Sequence, residues 1–262
     1  MVGWFTEDFT LAELRTLRAK ERLPEVRPAN TRYDGRFQVP SLDEVLDLAA
    51  RESRRRGVTI GVYPETKHPT YFDSIGLPLE GPLVAALRRH HLDRPNAPVF
   101  VQSFETSNLR ALSRQVKVPL VQLVDASGAP YDLVAKGDPR TYRDLVTPAG
   151  LRDIATYADG IGANKELVLP RDASGATGAP SAVVRDAHRQ RLVVHVWTLR
   201  RENQFMARNF RIGTDPNAPG DLAAETEAFL DAGVDGVFSD NSDLAVEARD
   251  EWVDERTPAR VG

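Results

Sequence analysis

A carboxylate and an ammonium group lie two residues apart, directly after a short apolar run. Glu65 and Lys67 occur in the segment GVYPETKHPTYF, which begins at Gly61. If both residues continue an extended strand, their side chains point to the same face, because strand side chains alternate. A carboxylate is a hard oxygen ligand for Mg²⁺ or Ca²⁺, and a neighbouring ammonium group stabilises charge on a phosphoryl group. The pair predicts a phosphate-ester site, although an exposed ion pair worth about 1 kcal/mol or less fits the same residues.

Other polar and aromatic side chains follow the later apolar runs of the chain. Gln102 and Phe104 end the run PVFVQSF, and Trp197 lies in LVVHVWTL. Further side chains at such ends are Ser103, Gln122, Asp125, Thr198, Ser239 and Asp240. Polar groups at the carboxyl ends of several parallel strands form the active site of a (β/α)₈ barrel. The pattern therefore predicts that these strand ends meet in one pocket.

Six helix–strand units are expected to position these residues. Strands are predicted at residues 58–63, 98–104, 119–125, 159–163, 192–199 and 234–240. They are apolar along their length and alternate with amphipathic helices, which indicates a parallel sheet covered on both faces. No GxGxxG or GxxxxGKS/T pattern opens a helix, so a nucleotide-binding doubly wound sheet is disfavoured. We predict an α/β fold, a TIM (β/α)₈ barrel that is incomplete because six strands do not close it.

Two helices near the beginning of the chain have clear start signals. Each combines a hydroxyl residue with a glutamate three positions later, which is the spacing of a capping box. The pairs are Thr10 with Glu13 and Ser41 with Glu44. They predict one helix from Leu11 to about Lys20 and a second helix that ends at Gly57.

Composition restricts the class of protein. The 262 residues are 41% hydrophobic and 27% charged, and we predict a single domain over residues 1–262. The net charge of −4 argues against nucleic-acid and membrane-surface partners, and no apolar run is long enough to span a membrane. The chain contains no cysteine, which excludes disulfides, thiolate metal sites and a cysteine nucleophile. The first residues show no signal peptide, so we expect a cytoplasmic location for the chain as written.

Seven segments resemble, in the same order, the motifs of the glycerophosphodiester phosphodiesterase family, particularly its longer periplasmic or secreted bacterial type. They are FTLAELRTLRA, IGVYPETKHPTYF, VFVQSFE, PLVQLVD, YADGIGANK, LVVHVWTLRREN and AGVDGVFSDNSDLAV. The resemblance covers essentially the whole chain. It implies a TIM barrel that hydrolyses a small-molecule glycerophosphodiester to an alcohol and glycerol 3-phosphate. It also implies a divalent cation, usually Ca²⁺ or Mg²⁺.

The same resemblance implies roles for individual residues. Glu65 matches a metal-ligand carboxylate, and Lys67 matches the catalytic lysine beside the phosphate. The residues expected to bind or border the substrate are His68, Gln102, Phe104 and Trp197.

Three motifs that the family places upstream are absent from this sequence. In the family, an HRG stretch and an HD stretch supply two catalytic histidines, and an E-x-D pair supplies two further metal ligands. None of the five histidines here precedes Arg-Gly or Asp. The chain therefore resembles a member that lacks its N-terminal strands, and a longer N-terminus would imply export to the periplasm or secretion. Because a general base and a general acid each contribute about 10²–10⁴-fold, we expect little or no activity from this chain alone.

Two other functions agree with the same residues. A non-catalytic descendant would bind a phosphodiester ligand or a partner through the remaining cleft. An unrelated TIM-barrel lyase or aldolase would use Lys67 as a Schiff-base amine, which requires a desolvated lysine, whereas a neighbouring Glu65 keeps the amine charged. His195, within LVVHVWTL, belongs either to the core of the barrel or to its cleft.

Overall fold

A five-stranded sheet, parallel throughout, forms the centre of the fold. The computed structural model describes residues 3–257. The strands are β1 (Val101–Ser103), β2 (Leu120–Val124), β3 (Gly160–Asn164), β4 (Val193–Leu199) and β5 (Gly236–Ser239). They lie in the order β1-β2-β3-β4-β5, so each crossover returns to the adjacent position in the sheet. Sequential parallel order of this kind is how a (β/α) barrel is built.

Twelve α-helices are present in the described part of the chain. They are α1 (Leu11–Leu14), α2 (Leu42–Arg56), α3 (Pro69–Ser74), α4 (Glu80–Arg89), α5 (Thr106–Leu112), α6 (Tyr131–Ala135), α7 (Tyr142–Leu145), α8 (Pro148–Ile154), α9 (Lys165–Val168), α10 (Val183–Arg189), α11 (Leu222–Asp231) and α12 (Ser242–Arg256). Short 3₁₀ helices span Thr6–Asp8, Pro28–Tyr33, Asn203–Phe205 and Arg208–Phe210. At least one helix separates each pair of consecutive strands, as the sequence pattern predicts.

The two faces of β4 differ in exposure. Val194 and Val196 are completely buried, whereas His195 and Trp197, which alternate with them, are partly exposed. Helices α9, α10 and α11 all contact β4. Burying a valine side chain stabilises the fold by roughly 2 kcal/mol, so the valine face holds the helices on the sheet. The other face carries Trp197, one of the residues predicted for the site.

The prediction of a first strand at residues 58–63 is wrong, because these residues do not form a strand. Two isolated bridges, Val62↔Val99 and Glu65↔Gln102, join this segment to the neighbourhood of β1 in one common register. Pro64 lies between them and has no N–H to donate, so the ladder is interrupted at that position. The sheet therefore has five strands with a broken sixth segment at its β1 edge.

The chain divides into two compact units, Met1–Ile60 and Gly61–Gly262. The first unit contains α1 and α2, and both predicted capping boxes are present at their N-termini. α2 ends directly before Gly57, as predicted, and Gly57 adopts a left-handed conformation (φ 68°).

Helix α1 is shorter than predicted and ends at Leu14 rather than near Lys20. The Arg18 guanidinium Nη1 donates to the backbone carbonyl oxygens of Arg15, Thr16 and Leu17 at 2.8–2.9 Å. Three successive carbonyl groups that converge on one side chain cannot also continue an α-helical ladder. The apolar spacing of this segment therefore does not propagate into further helical turns.

The predicted fold class is confirmed: an α/β fold whose parallel sheet is that of an incomplete TIM barrel. All five strands belong to the second unit. The prediction of a single domain over residues 1–262 stays a prediction. Within residues 3–257, no helix combines the length and apolar character needed to cross a membrane.

Candidate active site

The segment that carries Glu65 and Lys67 is held against β1 through the residue between them. Thr66 N donates to Gln102 O at 3.0 Å, and Thr66 Oγ1 donates to Asn108 Oδ1 at 2.6 Å. Ser103 Oγ in turn donates to Thr66 O at 3.2 Å, and Thr66 is only 5% exposed. Because side chains alternate along an extended segment, burial of Thr66 turns Glu65 and Lys67 together to the opposite side.

Glu65 and Lys67 are close, but no hydrogen bond joins them. Lys67 Nζ lies 3.8 Å from Glu65 Oε1, and the lysine side chain is 67% exposed. Glu65 Oε1 is itself buried and has no hydrogen-bond partner. An exposed ion pair at this distance contributes little to stability. A buried carboxylate oxygen without a donor therefore needs another explanation, and a bound cation would provide one.

A first cavity of about 380 Å³ lies at the carboxyl ends of the strands, and we call it the tryptophan cavity. Its lining includes Glu65, Lys67, Gln102, Phe104, Asp125 and Trp197. Trp197 Nε1 donates to Gly162 O at 2.8 Å, which fixes the indole. The Phe104 and Trp197 rings meet edge to face, with centroids 5.7 Å apart. Two aromatic rings in mutual contact and a carboxylate with an unpartnered oxygen therefore line the same cavity.

A second cavity of about 270 Å³ adjoins the first, and we call it the tyrosine cavity. It shares Glu65, Lys67, Phe104 and Asp125 with the tryptophan cavity, and it adds His68, Glu105, Tyr131 and Tyr142. The Phe104 ring lies 5.9 Å from that of Tyr142, so this ring takes part in both cavities. Glu65 and Lys67 stand where the two cavities meet.

The structure brings five of the six predicted site residues into the tryptophan cavity and places the sixth beside it. His68 lines only the tyrosine cavity, where its left-handed backbone (φ 55°) precedes α3. The roles predicted for the six residues stay predictions, because the geometry shows proximity and not chemistry.

Gln122 differs from the other polar side chains at strand ends. It is completely buried, its Nε2 donates to Phe104 O at 2.9 Å, and its Oε1 accepts from the Tyr157 hydroxyl at 3.0 Å. Its polar groups are therefore satisfied within the protein, and it positions the backbone of Phe104.

Sequence reasoning did not single out Glu105, Tyr131 or Tyr142, which line the tyrosine cavity. Glu105 directly follows Phe104, and its carboxylate at the end of a strand was the available signal. The tyrosines lie in α6 and α7, beyond the end of β2, where the sequence gives no comparable signal.

Burial determines the electrostatics of Glu105. It is 2% exposed, and desolvation raises the pKa of its carboxyl group, with a further contribution from Asp132. Its Oε2 accepts from Thr70 N at 3.0 Å, whereas its Oε1 has no partner. A positive charge in the cavity would offset this desolvation.

His195 belongs to an aromatic cluster. Its Nδ1 is 3.0 Å from the Tyr63 hydroxyl, and its ring meets those of Tyr63 and Phe100 edge to face. Burial lowers the pKa of His195, which favours the neutral imidazole. It does not line the tryptophan or the tyrosine cavity, which favours the core interpretation.

The site provides only some of the ligands that a divalent cation needs. Glu65 Oε1 and Gln102 Oε1 are both buried oxygens without partners, and Ca²⁺ and Mg²⁺ prefer oxygen donors. In the described residues, however, no three His, Cys, Asp or Glu side chains are grouped closely enough to hold a metal ion. The side chains present would therefore supply a minority of a complete ligand set.

The sequence matches the Glycerophosphoryl diester phosphodiesterase family over residues 2–244. A glycerophosphodiester phosphodiesterase of Arabidopsis thaliana is 31% identical, and the match covers 92% of this chain and 63% of the plant protein. A glycerophosphodiester phosphodiesterase of Haemophilus influenzae is 21% identical, with coverage of 93% and 70%. This chain thus spans less than two thirds of the plant relative.

Two solved structures share the fold. One, from Silicibacter pomeroyi and assigned as a glycerophosphoryl diester phosphodiesterase, has a TM-score of 0.62 and 18% identity, and the match covers 94% of this chain and 68% of the other. Another, from Agrobacterium tumefaciens and assigned in the same way, has a TM-score of 0.54 and 20% identity, with coverage of 93% and 72%.

Proposed function

Because this chain belongs to the glycerophosphoryl diester phosphodiesterase family, we propose that it acts on glycerophosphodiesters, yielding an alcohol and glycerol 3-phosphate. The family's enzymes are phosphoric diester hydrolases that act on small glycerophosphodiesters. One observation carries the proposal for this chain. The buried, unpartnered Glu65 Oε1 lies 3.8 Å from Lys67 Nζ, in a cavity that Phe104 and Trp197 also line.

A divalent cation is the expected cofactor, as is general for this family, and we propose Ca²⁺ or Mg²⁺. Glu65 Oε1 and Gln102 Oε1 would hold it, with the remaining ligands from water, substrate or groups outside this set. When bound, such an ion neutralises charge on a phosphoryl group.

The chain's own residues bind and orient the substrate. Lys67, with its ammonium group exposed at the junction of the two cavities, donates hydrogen bonds to a phosphoryl oxygen. The fixed rings of Phe104 and Trp197 pack against the carbon atoms of the substrate and exclude water from that side.

The sequence lacks the histidines that transfer protons in this family. The family's two histidine motifs do not occur in it, and only His68 among the described histidines lines either cavity. We propose that this chain alone hydrolyses its substrate slowly. The lack of a positioned general base and of a general acid each lowers the rate by about 10²–10⁴-fold.

The Schiff-base alternative loses support from the geometry. A nucleophilic lysine needs a desolvated amine, whereas the Lys67 side chain is 67% exposed and lies beside a carboxylate. Its ammonium form suits a phosphate group better than a carbonyl group.

Calorimetric titration of the full chain with Ca²⁺ and with Mg²⁺ tests the proposed site. We expect Glu65→Gln to weaken cation binding by about tenfold or more, since it removes the charge from the only carboxylate assigned to the ion. Glu247→Gln, which removes an exposed carboxylate of α12, is the matched control and should bind as the unaltered chain does. Equal affinity of Glu65→Gln and the unaltered chain would remove Glu65 from the site. Release of glycerol 3-phosphate from glycerophosphocholine, with and without chelator, then measures turnover.

A further inference from the structure

The tyrosine cavity carries more negative than positive charge. Three carboxylates line it, those of Glu65, Glu105 and Asp125, against the cationic Lys67 and the imidazole of His68. Lys67 lies near Glu65 and is largely exposed, and His68 is the other cationic side chain close to Glu105. Asp125 is partly satisfied, because its Oδ1 accepts from Asn164 Nδ2 at 2.8 Å. Of the three carboxylates, Glu105 is the one that is buried from solvent.

Glu105 is the observation that points to a ligand. This side chain is 2% exposed and lines the cavity, yet its Oε1 has no hydrogen-bond partner. Asp132, which is fully buried, caps the N-terminus of α5 by accepting from Thr106 N and Ser107 N. Its carboxylate therefore adds negative charge close to Glu105 instead of compensating it. Buried carboxylate oxygens normally have partners, so the unpartnered Oε1 in a cavity points to a cationic ligand.

The rest of the lining decides which cation fits. Phe104, Tyr131 and Tyr142 contribute aromatic rings, and the volume is about 270 Å³. A bare metal ion would gain little from aromatic rings and would leave most of this volume empty. An alkylammonium group gains both from ring faces and from a neighbouring carboxylate.

We propose that the tyrosine cavity binds the ammonium group of a cationic alcohol, so that the chain selects glycerophosphodiesters with an alkylammonium head group. The inference rests on the proposed function for its biological meaning. Glu65 and Lys67 stand where the two cavities meet, and a phosphate held there joins a head group in the tyrosine cavity to a glycerol in the tryptophan cavity. Glu105 supplies the counter-charge, and Phe104 with the two tyrosines supplies the ring faces.

The test is a calorimetric comparison of two probes on the full chain with chelator present. The probes are choline and its uncharged isostere, in which a tert-butyl group replaces the trimethylammonium group. We expect choline to bind about tenfold more tightly, since a desolvated cation gains from both the rings and the carboxylate. Equal binding of the two probes would overturn the proposal without any variant.

Variants then assign the effect to named residues. Glu105→Gln keeps the shape of the side chain and removes its charge, so it should reduce the preference for choline to about twofold or less. Glu247→Gln makes the same chemical change on the exposed surface of α12 and should leave the preference unchanged. Tyr131, which is 47% exposed, can be changed to Leu without disturbing the core, and this should weaken choline binding by about threefold. Unchanged choline affinity in both site variants would overturn the proposal.

This result is separable from the proposed function. Choline is measured without a divalent cation and without a phosphodiester bond. Selective choline binding, together with binding of Ca²⁺ and Mg²⁺ that does not depend on Glu65, would preserve the ammonium pocket and refute the proposed phosphodiesterase site. Glu65-dependent binding of a divalent cation without selectivity between the two probes would preserve the phosphodiesterase site and refute the ammonium pocket.

Discussion

Three buried oxygens without hydrogen-bond partners lie around the two cavities: Glu65 Oε1, Gln102 Oε1 and Glu105 Oε1. A buried polar atom without a partner costs about 1–3 kcal/mol, so each weakens the fold of the free chain. Sites that bind ligands commonly retain such groups, because the ligand satisfies them. At the scale of the residue, these three oxygens without hydrogen-bond partners thus identify the site.

His195 predicts a pH dependence of stability. Burial lowers its pKa below the ordinary 6.5, so between the two values the unfolded chain binds more protons than the folded chain. The free energy of unfolding should therefore fall as the pH decreases through about 6.5, and this contribution is fully present only above it. We expect His195→Phe to reduce the fall measured by urea unfolding between about pH 7.5 and about pH 5.5. Identical pH slopes for the two proteins would contradict this.

Sequence reasoning found the residues that follow apolar strands, because a strand end has a recognisable signal. Glu65 and Lys67 follow one apolar run of the sequence, and Trp197 lies near the end of another. Glu105 follows a strand as well, but nothing in the sequence indicates that one of its oxygens stays unpaired. That property depends on three-dimensional contacts with Thr70, which is 35 positions away in the chain.

At the scale of the element, a buried ion pair connects the end of β3 to α11. Lys165 Nζ, at the start of α9, donates to Glu225 Oε1 and to Phe205 O, both at 2.7 Å. Burial lowers the pKa of Lys165 and raises the pKa of Glu225, so desolvation opposes the charge on both. The attraction within such a pair is largely offset by the desolvation of both charges, so its net contribution to stability is small.

Replacing one residue of this pair should lower the stability far more than replacing both. We expect Lys165→Met to lower the free energy of unfolding by about 3–5 kcal/mol, because Glu225 would be left buried without its cation. The double variant Lys165→Met with Glu225→Leu should recover most of that loss, since neither charge remains to be desolvated. Denaturant unfolding of both variants measures the difference. Additive losses in the double variant would show that the two residues act independently.

The elements show where sequence signals succeed. Capping residues located the N-termini of α1 and α2, because a cap acts within a few positions of the chain. The end of α1 and the first strand were predicted wrongly. In both cases one residue, Arg18 or Pro64, alters the hydrogen bonding of the backbone and overrides the apolar pattern.

At the scale of the whole molecule, the sheet has two edges in the described residues. β5 pairs only with β4, and the other edge is the segment interrupted at Pro64. Unpaired strand edges present free N–H and C=O groups that pair readily with another chain. The alternation of strands and helices predicted the fold class correctly, but pairing at an edge depends on what lies beside it.

We therefore expect the purified chain to associate as its concentration rises. The average mass from sedimentation velocity should increase over a roughly hundredfold range of concentration, because edge pairing is a bimolecular step. A single monomeric mass over that whole range would contradict the expectation.

Trp197 gives the protein an optical reporter of its own. Of the three tryptophans, Trp4 is 85% exposed and the Trp252 indole donates to Asp231 on α11, whereas the Trp197 indole lies in the tryptophan cavity against Phe104. A ligand that enters beside Trp197 must change the polarity around this indole. Occupancy can thus be followed by intrinsic fluorescence without attaching a dye, and a Trp4→Phe background would remove the emission of an exposed indole.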